Sequence, residues 1–317
     1  MSKVLVITHQ KDAHLPFVEP HLASKMLLVD PYSILEKEEL SYIFDGKACH
    51  TSYKSKLISD MKSVWYRKPS RRENEPLPVD AALEEYARSA INNHVQMLRS
   101  QFPEAFWISD FYAINRARNK AWQLKAAADM GFSVPKTIIT SDPTQADIFI
   151  AKNAPVIIKS QAISFPALDK KTYFFFAKRV EVKEKVNLDN LHLAPAIFQQ
   201  AIDAIADIRV TVVGDIAFAA IIRGKIGAGD KVVRDWRFDH SCGSVKFEDY
   251  DKNMPQAYRS LCISMGLVYG AIDLVMDKEG KIWFLEINPN GQWAFIEEET
   301  GQQIGKALAG LLEKGST

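Results

Sequence analysis

Two apolar runs near the C-terminal end, GAIDLVM and KIWFLEIN, flank the polar stretch Asp277–Gly280. Short runs rich in β-branched and aromatic residues around a Gly-containing turn predict an antiparallel hairpin. Hairpin geometry constrains which side chains can meet. Side chains alternate along a strand, so Glu286 and Asn288 share one face. A two-residue turn at Glu279-Gly280, or a four-residue loop in the same register, sets Asp273 directly opposite Glu286. A three-residue loop moves the pairing by one. In the first register three oxygen-bearing side chains converge on an otherwise apolar hairpin.

Two directly opposed carboxylates cost up to ~1 kcal/mol even on an exposed sheet, and more in apolar surroundings. A hard divalent cation removes the conflict. An all-oxygen donor set without His or Cys suits Mg²⁺ or Mn²⁺ and argues against zinc. The hairpin alone leaves a second reading open, in which Glu286 and Asn288 sit at a solvated strand end without a ligand. Pro289 stops the strand, and Asn290-Gly291 turns the chain.

The 317 residues are enough for one large or two to three modest domains. A formal net charge of +1 gives no global electrostatic case for nucleic acid or an anionic membrane. Any anionic partner must meet a local basic site. Cys49, Cys242 and Cys262 are scattered, with no disulfide ladder or metal spacing, which points to a reducing cytoplasm. His9, His14 and His21 have no zinc spacing either. No signal peptide and no run of ~18 apolar residues is evident, so the expectation is a cytoplasmic protein without a membrane span.

The rest of the chain mixes strands and helices, an α/β (α+β) pattern. Lys3 to Thr8, Met26 to Val29, Val64 to Tyr66 and Phe106 to Ile108 predict strands, and the segment between the second and third has a weak pattern. Pro69 to Pro78, with Arg71-Arg72, is a polar, proline-bounded loop. Asp80 starts a helix to about Ser100, with Leu83, Tyr86, Ala90, Val95 and Leu98 near helical spacing. A helix from Asn115 ends at Gly131, and Asp142-Pro143 opens another. Pro155 to Lys159 and Tyr173 to Val180 predict strands around an irregular stretch, Ser160 to Lys171. AIFQQAI predicts a strand, and IRVTVV, Gly214-Asp215 and IAFAAII a hairpin. Asp251 to Gly266 and Thr300 to Leu312 predict helices, the latter with a capping box of Thr300 and Gln303. The expected division is an N-terminal α/β domain over 1–112, a second part over 113–193, and a third over 194–317 that carries the hairpin.

The segments DLVM and FLEINPNGQW resemble the end of an ATP-grasp ligase, and the likeness extends through residues 113–312 and more weakly over 1–112. The resemblance implies an ATP-grasp fold behind an N-terminal pre-ATP-grasp domain. It implies that Asp273, Glu286 and Asn288 bind Mg²⁺ (or Mn²⁺) on ATP, and that Lys120 and Lys159 are the two nucleotide-binding lysines. Taken singly, each lysine also fits a solvated surface position. FQQAI resembles the strand that meets adenine, assigning Gln199, Gln200 and Ile202 to that edge. Gln200 stands where the related pattern has Glu, and 160–171 contains no glycine where many relatives cover the phosphates with a glycine-rich loop. ADIR resembles the segment whose acidic residue, Asp207, reaches the ribose. Arg209 is open to facing the nucleotide or to pairing with Asp207.

Within the superfamily the chain is most similar to the graspetide (microviridin-type) peptide-modifying ligases, through VWYRKP, DWR at 235–237 and EINPNGQW followed by IEEETG. This implies phosphorylation of Asp or Glu side chains in an acidic precursor peptide with a leader, and crosslinking to Ser or Thr (ester) or Lys (amide). Arg237, oriented by Asp235, and Arg223 are the candidates for the reacting carboxylate, because a guanidinium binds a carboxylate or acyl phosphate bidentately. A surface ion pair is the alternative for Asp235 and Arg237. The family includes homodimers. Two other readings stand beside this one: a ribosomal-protein-type glutamate ligase, and a nucleotide-binding protein without ligase activity.

Overall fold

The structure is a computed structural model that describes residues 3–30, 39–68, 79–161, 164–166, 172–174, 177–181, 184–224, 245–250 and 256–315. Asp235, Trp236, Arg237, Arg71-Arg72 and most of the glycine-free stretch 160–171 lie outside the described residues.

KVLVIT forms β1 (Lys3–Thr8), with Val4, Leu5, Val6 and Ile7 fully buried. It sits between β2 (Lys25–Val29) and β6 (Met61–Lys68), and β7 (Phe106–Ile108) completes the sheet in the order β2-β1-β6-β7. All neighbours run parallel. A parallel sheet is covered on both faces, so its strands read as continuous apolar runs. The short α1 (Leu15–Val18) follows β1, and α2 (Ala81–Gln101) crosses from β6 to β7. Ile91, Val95 and Leu98 of α2 pack on Leu5, Ile7 and Val64. Leu83 and Tyr86, expected on the same stripe, are 54% and 75% exposed, because the helix meets the sheet only from Ala87 onward. The weak-patterned segment forms an antiparallel sheet of β3 (Leu40–Phe44), β4 (Cys49–Tyr53) and β5 (Lys56–Ile58). Its strands bury few side chains, so no alternation stands out in the sequence.

The predicted helix from Asn115 is two helices, α3 (Phe111–Ala117) and α4 (Lys120–Asp129). Asn119 breaks them and caps α4, accepting from the Trp122 N–H at 3.0 Å. The second sheet has the order β12-β9-β13-β8, from β8 (Thr137–Thr140), β9 (Val156–Ser160), β12 (Lys178–Val180) and β13 (Ala196–Gln200). Asp142 caps α5 (Pro143–Asn153), which covers one face with Ala146 and Ile150 against Val156 and Phe198. The predicted strand from Tyr173 to Val180 is in two pieces: β11 (Thr172–Phe174) pairs with β10 (Ser164–Pro166), and β12 pairs with β9. Because β13 joins this sheet, the sheet runs past the expected boundary at 193, while α4 packs into the core of the third sheet.

The third sheet is antiparallel throughout, in the order β16-β15-β14-β17-β18: β14 (Ala204–Val213), β15 (Ile216–Gly224), β16 (Val245–Asp249), β17 (Tyr269–Asp277) and β18 (Ile282–Asn288). One face is apolar across β14, β17 and β18, with Ile208, Val210, Ile272, Leu274, Phe284 and Ile287 under α4 and α6 (Gln256–Ser264). The opposite face is divided. One end packs Val213, Tyr269 and Ile222 with Trp293, α8 (Ile304–Lys314) and the N-terminal sheet. The other end carries polar side chains. α7 (Ala294–Thr300) precedes α8, so the helix predicted over Thr300 to Leu312 forms from Ile304 onward and its capping box does not form. Thr300 instead ends α7, its hydroxyl donating to the Ile296 carbonyl at 2.6 Å, and Gly301 takes φ 72°. Among the described residues no helix is long and apolar enough to cross a membrane.

Candidate functional site

Strand alternation sets Asp207, Arg209 and Thr211 of β14 on the divided face. Arg209 lies opposite Asp273, and Asp273 opposite Glu286, forming one row across three strands. Asn288 is one pair further along, opposite Ala271.

The hairpin reaches this pairing by an unexpected route. Met276 pairs with Ile282, and the Asp277 N–H donates to the Lys281 carbonyl at 3.0 Å, leaving a three-residue loop with Gly280 at φ 80°. A three-residue loop ending in a left-handed Gly is a standard hairpin form. Continued without interruption, its register would set Asp273 opposite Leu285 and turn Glu286 into the apolar core beside Ile272. A β-bulge at Leu285, between the pairs Leu274–Phe284 and Asp273–Glu286, shifts the pairing back. The bulge lies where the sheet passes from closed core to open polar end, and it aims Glu286 onto the Asp273 face.

Each carboxylate has a cationic neighbour. The Arg209 guanidinium is 8% exposed; its Nη1 donates to Asp273 and its Nη2 to the Gln292 carbonyl at 3.0 Å. Lys120 Nζ, at the start of α4, donates to Glu286 Oε2 at 2.5 Å. The Glu286 side chain is 38% exposed. Burial raises its pKa, but Lys120, Lys159 and Arg209 together hold it below the usual carboxylate range. Glu286 is therefore ionised at neutral pH.

Lys159 comes from β9 of the second sheet, on the face away from α5. Its Nζ donates to Gln199 Oε1 at 2.9 Å, and Gln199 Nε2 donates to Thr137 Oγ1 at 3.0 Å. The threonine fixes which end of the Gln199 amide meets the lysine. The Lys159 charge lowers the Glu286 pKa, so Lys159 lies within electrostatic reach of the row on the third sheet. Gln200 shares the face of Phe198 by alternation, and its N–H donates to the Lys136 carbonyl at 2.8 Å. The Ile202 carbonyl accepts from Ala204, and Asp207 is half-buried on the Arg209 face, opposite Ile222 and Val275. Arg209 has a partner that neither reading named, Asp273 on the next strand. Arg223 departs from the expectation. It alternates to the apolar-face side of β15, opposite to Arg209, and pairs with Glu248 at 3.9 Å.

The turn after β18 is held by side chains from four places. Arg67 Nη1 donates to the Asn290 carbonyl at 2.6 Å, the Tyr269 hydroxyl to the Gly291 carbonyl at 2.7 Å, and Arg209 to that of Gln292. The Trp293 N–H donates to His14 Nε2 at 3.0 Å. Gly291 is required here by close approach, since a Cβ would lie 2.3 Å from that of Ala271. Sequence reasoning assigned no role to Arg67, Tyr269 or Asp12. The only signals were the Arg of VWYRKP and the PNG turn.

Asp273, Glu286 and Asn288 present oxygen ligands on one face, beside two lysines and at the mouth of a half-open site. Among the described residues no three His, Cys, Asp or Glu side chains cluster. Two carboxylates and an amide match a magnesium site whose shell is completed by phosphates, and do not match an all-protein cage.

Residues 117–312 match the RimK-like ATP-grasp domain family. No curated protein sequence matches the chain. The fold is similar to that of a Chryseobacterium gregarium RiPP-associated ATP-grasp ligase solved with ADP and a leader and core peptide, at 25% identity and a TM-score of 0.84 over 100% of this chain and 98% of that one. It is also similar to the macrocyclase MdnC of Microcystis aeruginosa MRC bound with precursor peptide MdnA, at 22% identity and a TM-score of 0.82 over 99% and 100%. A third similar fold is that of the ATP-grasp ligase PsnB complexed with a phosphomimetic variant of its minimal precursor, Mg and ADP, at 19% identity and a TM-score of 0.74 over 99% of each chain. With the divided sheet, the two lysines and the family match together, the chain belongs to the RimK-like ATP-grasp family and is an ATP-dependent ligase.

Proposed function

We propose that this ligase activates Asp or Glu side chains of an acidic, leader-bearing ribosomal precursor peptide and closes them onto Ser or Thr hydroxyls, or a Lys amine, as a macrocyclase. The observation that carries the reading is end-to-end similarity. The whole chain, including the N-terminal sheet outside the matched ATP-grasp domain, aligns with a RiPP-associated ligase solved with leader and core peptide.

The chemistry needs positioning and charge neutralisation more than covalent catalysis. A peptide carboxylate oxygen attacks the γ-phosphorus of ATP, the bond to the bridging oxygen breaks, and ADP leaves. The hydroxyl or amine then attacks the acyl carbon, phosphate leaves, and the nucleophile's proton passes to solvent. The product is an ester or amide ring. Asp273, Glu286 and Asn288 would hold Mg²⁺, which would neutralise phosphate oxygens. Lys120 and Lys159 supply further positive charge to those oxygens. Gln199, Gln200 and the Ile202 backbone form the adenine edge, and Asp207 meets the ribose. Arg209 orients Asp273. Arg237 with Asp235 meets the peptide carboxylate. Arg223 has no role in this scheme. The three-part division stays as proposed, except that the second sheet runs to Gln200 and α4 belongs with the third part.

The test is mass spectrometry of a Thr- and Glu-containing precursor peptide after incubation with the enzyme, ATP and Mg²⁺. Loss of one water per crosslink, with ADP released, is expected. Addition of a whole glutamyl residue would overturn the reading in favour of a glutamate ligase. Nucleotide binding without ADP release would remove the ligase chemistry.

A further inference from the structure

The turn Pro289–Trp293 offers three consecutive backbone carbonyls, Asn290, Gly291 and Gln292, and each accepts from a different side chain: Arg67, Tyr269 and Arg209. Two of the groups that hold this turn come from the N-terminal sheet and its first loop. Arg67 ends β6 and is 2% exposed. His14 precedes α1 and receives the Trp293 N–H. His14 Nδ1 lies 2.7 Å from Asp12 Oδ1, so Nδ1 carries the proton, and Nε2 is left with a lone pair for Trp293. Asp12 is itself held by the Thr8 hydroxyl at 2.6 Å and faces Arg67 Nε at 3.9 Å. Trp293 is fully buried and packs edge-on against the His14 ring at 4.9 Å. Burial pushes the Tyr269 phenol up to about 12, so it remains a donor.

The turn in turn touches the metal strand. The Asn290 N–H donates to Asn288 Oδ1 at 3.2 Å, so the residue whose carbonyl Arg67 grips also sets the orientation of the Asn288 amide. Gly291 presses the turn onto Ala271, directly beside Asn288 and Arg209. No such network is needed merely to end a strand, since an exposed Asn-Gly turn satisfies its carbonyls with water.

We infer that Arg67 and His14, with Asp12 behind them, are positioning residues for the metal site: they lock the turn that fixes Asn288, and so couple the seating of the N-terminal sheet to metal binding. The inference rests on the assignment of Asp273, Glu286 and Asn288 as metal ligands. Side chains that orient a ligand without touching the metal are worth roughly 10-fold or more in metal affinity.

The test uses the full-length enzyme saturated with ADP and titrated with Mn²⁺, free Mn²⁺ being followed by electron paramagnetic resonance. Four variants are compared. Arg67→Lys keeps the charge but loses the fork. Tyr269→Phe removes one hydrogen bond to the same turn and adds no buried charge, so it decides the matter if Arg67→Lys does not fold. Ser63→Ala breaks a different link between the same two regions, the Ser63 hydroxyl to the Leu312 carbonyl at 2.7 Å. Asn288→Ala reports on the ligand assignment itself. Expected are a roughly 10-fold weaker Mn²⁺ affinity in Arg67→Lys and a smaller loss in Tyr269→Phe, with unchanged ADP binding in EDTA and unchanged Mn²⁺ affinity in Ser63→Ala. Wild-type Mn²⁺ affinity in folded Arg67→Lys and Tyr269→Phe, with loss in Asn288→Ala, overturns the positioning role and leaves the metal site standing. Wild-type affinity in Asn288→Ala overturns both. An equal loss in Ser63→Ala reduces the effect to general loosening and also overturns the inference.

Discussion

Two acidic sites lie on either side of the same turn, and they are built in opposite ways. Asp12 is buried and satisfied on both oxygens: Thr8 donates to Oδ2, and the backbone and ring of His14 both meet Oδ1. Asp273 and Glu286 face each other across a hairpin, each with a cation beside it, and Glu286 keeps over a third of its side chain open to solvent, at 38%. The residue types are the same, a carboxylate with Arg or Lys. A closed network with both carboxylate oxygens occupied by protein donors is suited to holding a shape. Two opposed carboxylates at an open edge keep ligand capacity, and their repulsion favours whatever cation arrives.

Breaking the open cluster gives the largest effect on chemistry. Glu286→Ala is expected to lower turnover by at least ~10³-fold, read as ADP release and peptide crosslinking, with little change in the thermal midpoint. Lys120, its partner, is itself 35% exposed and can be solvated when the carboxylate is gone. A wild-type rate in this variant would remove Glu286 from the metal site.

Breaking the closed cluster acts on stability. Asp12→Asn leaves Arg67 buried without its counter-charge and is expected to cost about 3–5 kcal/mol in urea unfolding at neutral pH. The pH dependence has a definite sign. Burial pushes the Asp12 carboxyl up, but the His14 hydrogen bond, the Arg67 charge and the Thr8 hydroxyl outweigh it and hold it well below its ordinary value. Its stabilisation is therefore complete above the ordinary carboxylate pKa of ~3.9 and fades as pH falls below it. The gap between wild type and Asp12→Asn should be constant from neutral pH down to that point and narrow only beneath it.

Smaller effects sharpen the boundary of the site. Lys159→Met is expected to raise the KM for ATP about 10-fold through loss of a charge-assisted contact. Gln199→Ala should raise it only a few-fold, roughly, because its amide orients Lys159. Equal effects would mean that Gln199 contributes as much to nucleotide binding as the Lys159 charge does. Arg223→Ala should leave both turnover and KM unchanged and alter stability by less than ~1 kcal/mol, since it lies on the other face in an exposed pair with Glu248. A large loss of activity there would restore it to the site.

Much of the fold was legible because burial on both sides leaves a simple trace. KVLVIT, AIFQQ and GAIDLVM are apolar enough to be strands in any context. Leu40–Ile58 was not legible, because its strands bury only isolated residues such as Tyr53 and Ile58. The helix breaks at Asn119 and Gly301 were hidden by apolar periodicity that continues across them. Within the site, Asp273, Glu286 and Asn288 were visible as chemistry out of place in apolar strands, whereas Lys120, at the start of a helix, and Lys159 were picked out only by the family resemblance. Arg67 and His14 were not, since their partners are backbone atoms 223 and 279 positions away in sequence.

The amino-acid sequence alone determined that a carboxylate and an amide share one face of an apolar strand, with a third acidic side chain in reach. Alternation is a local property of extended backbone, and needs no other part of the chain. Only the tertiary structure decided that Glu286 meets Asp273. The hairpin loop is one residue off the register that would pair them, and a bulge at Leu285 restores it where core gives way to solvent. It likewise decided that Arg209 answers Asp273 and that Arg223 faces away. Register and facing are set by how sheets pack and where they open, and no short stretch of sequence contains that information.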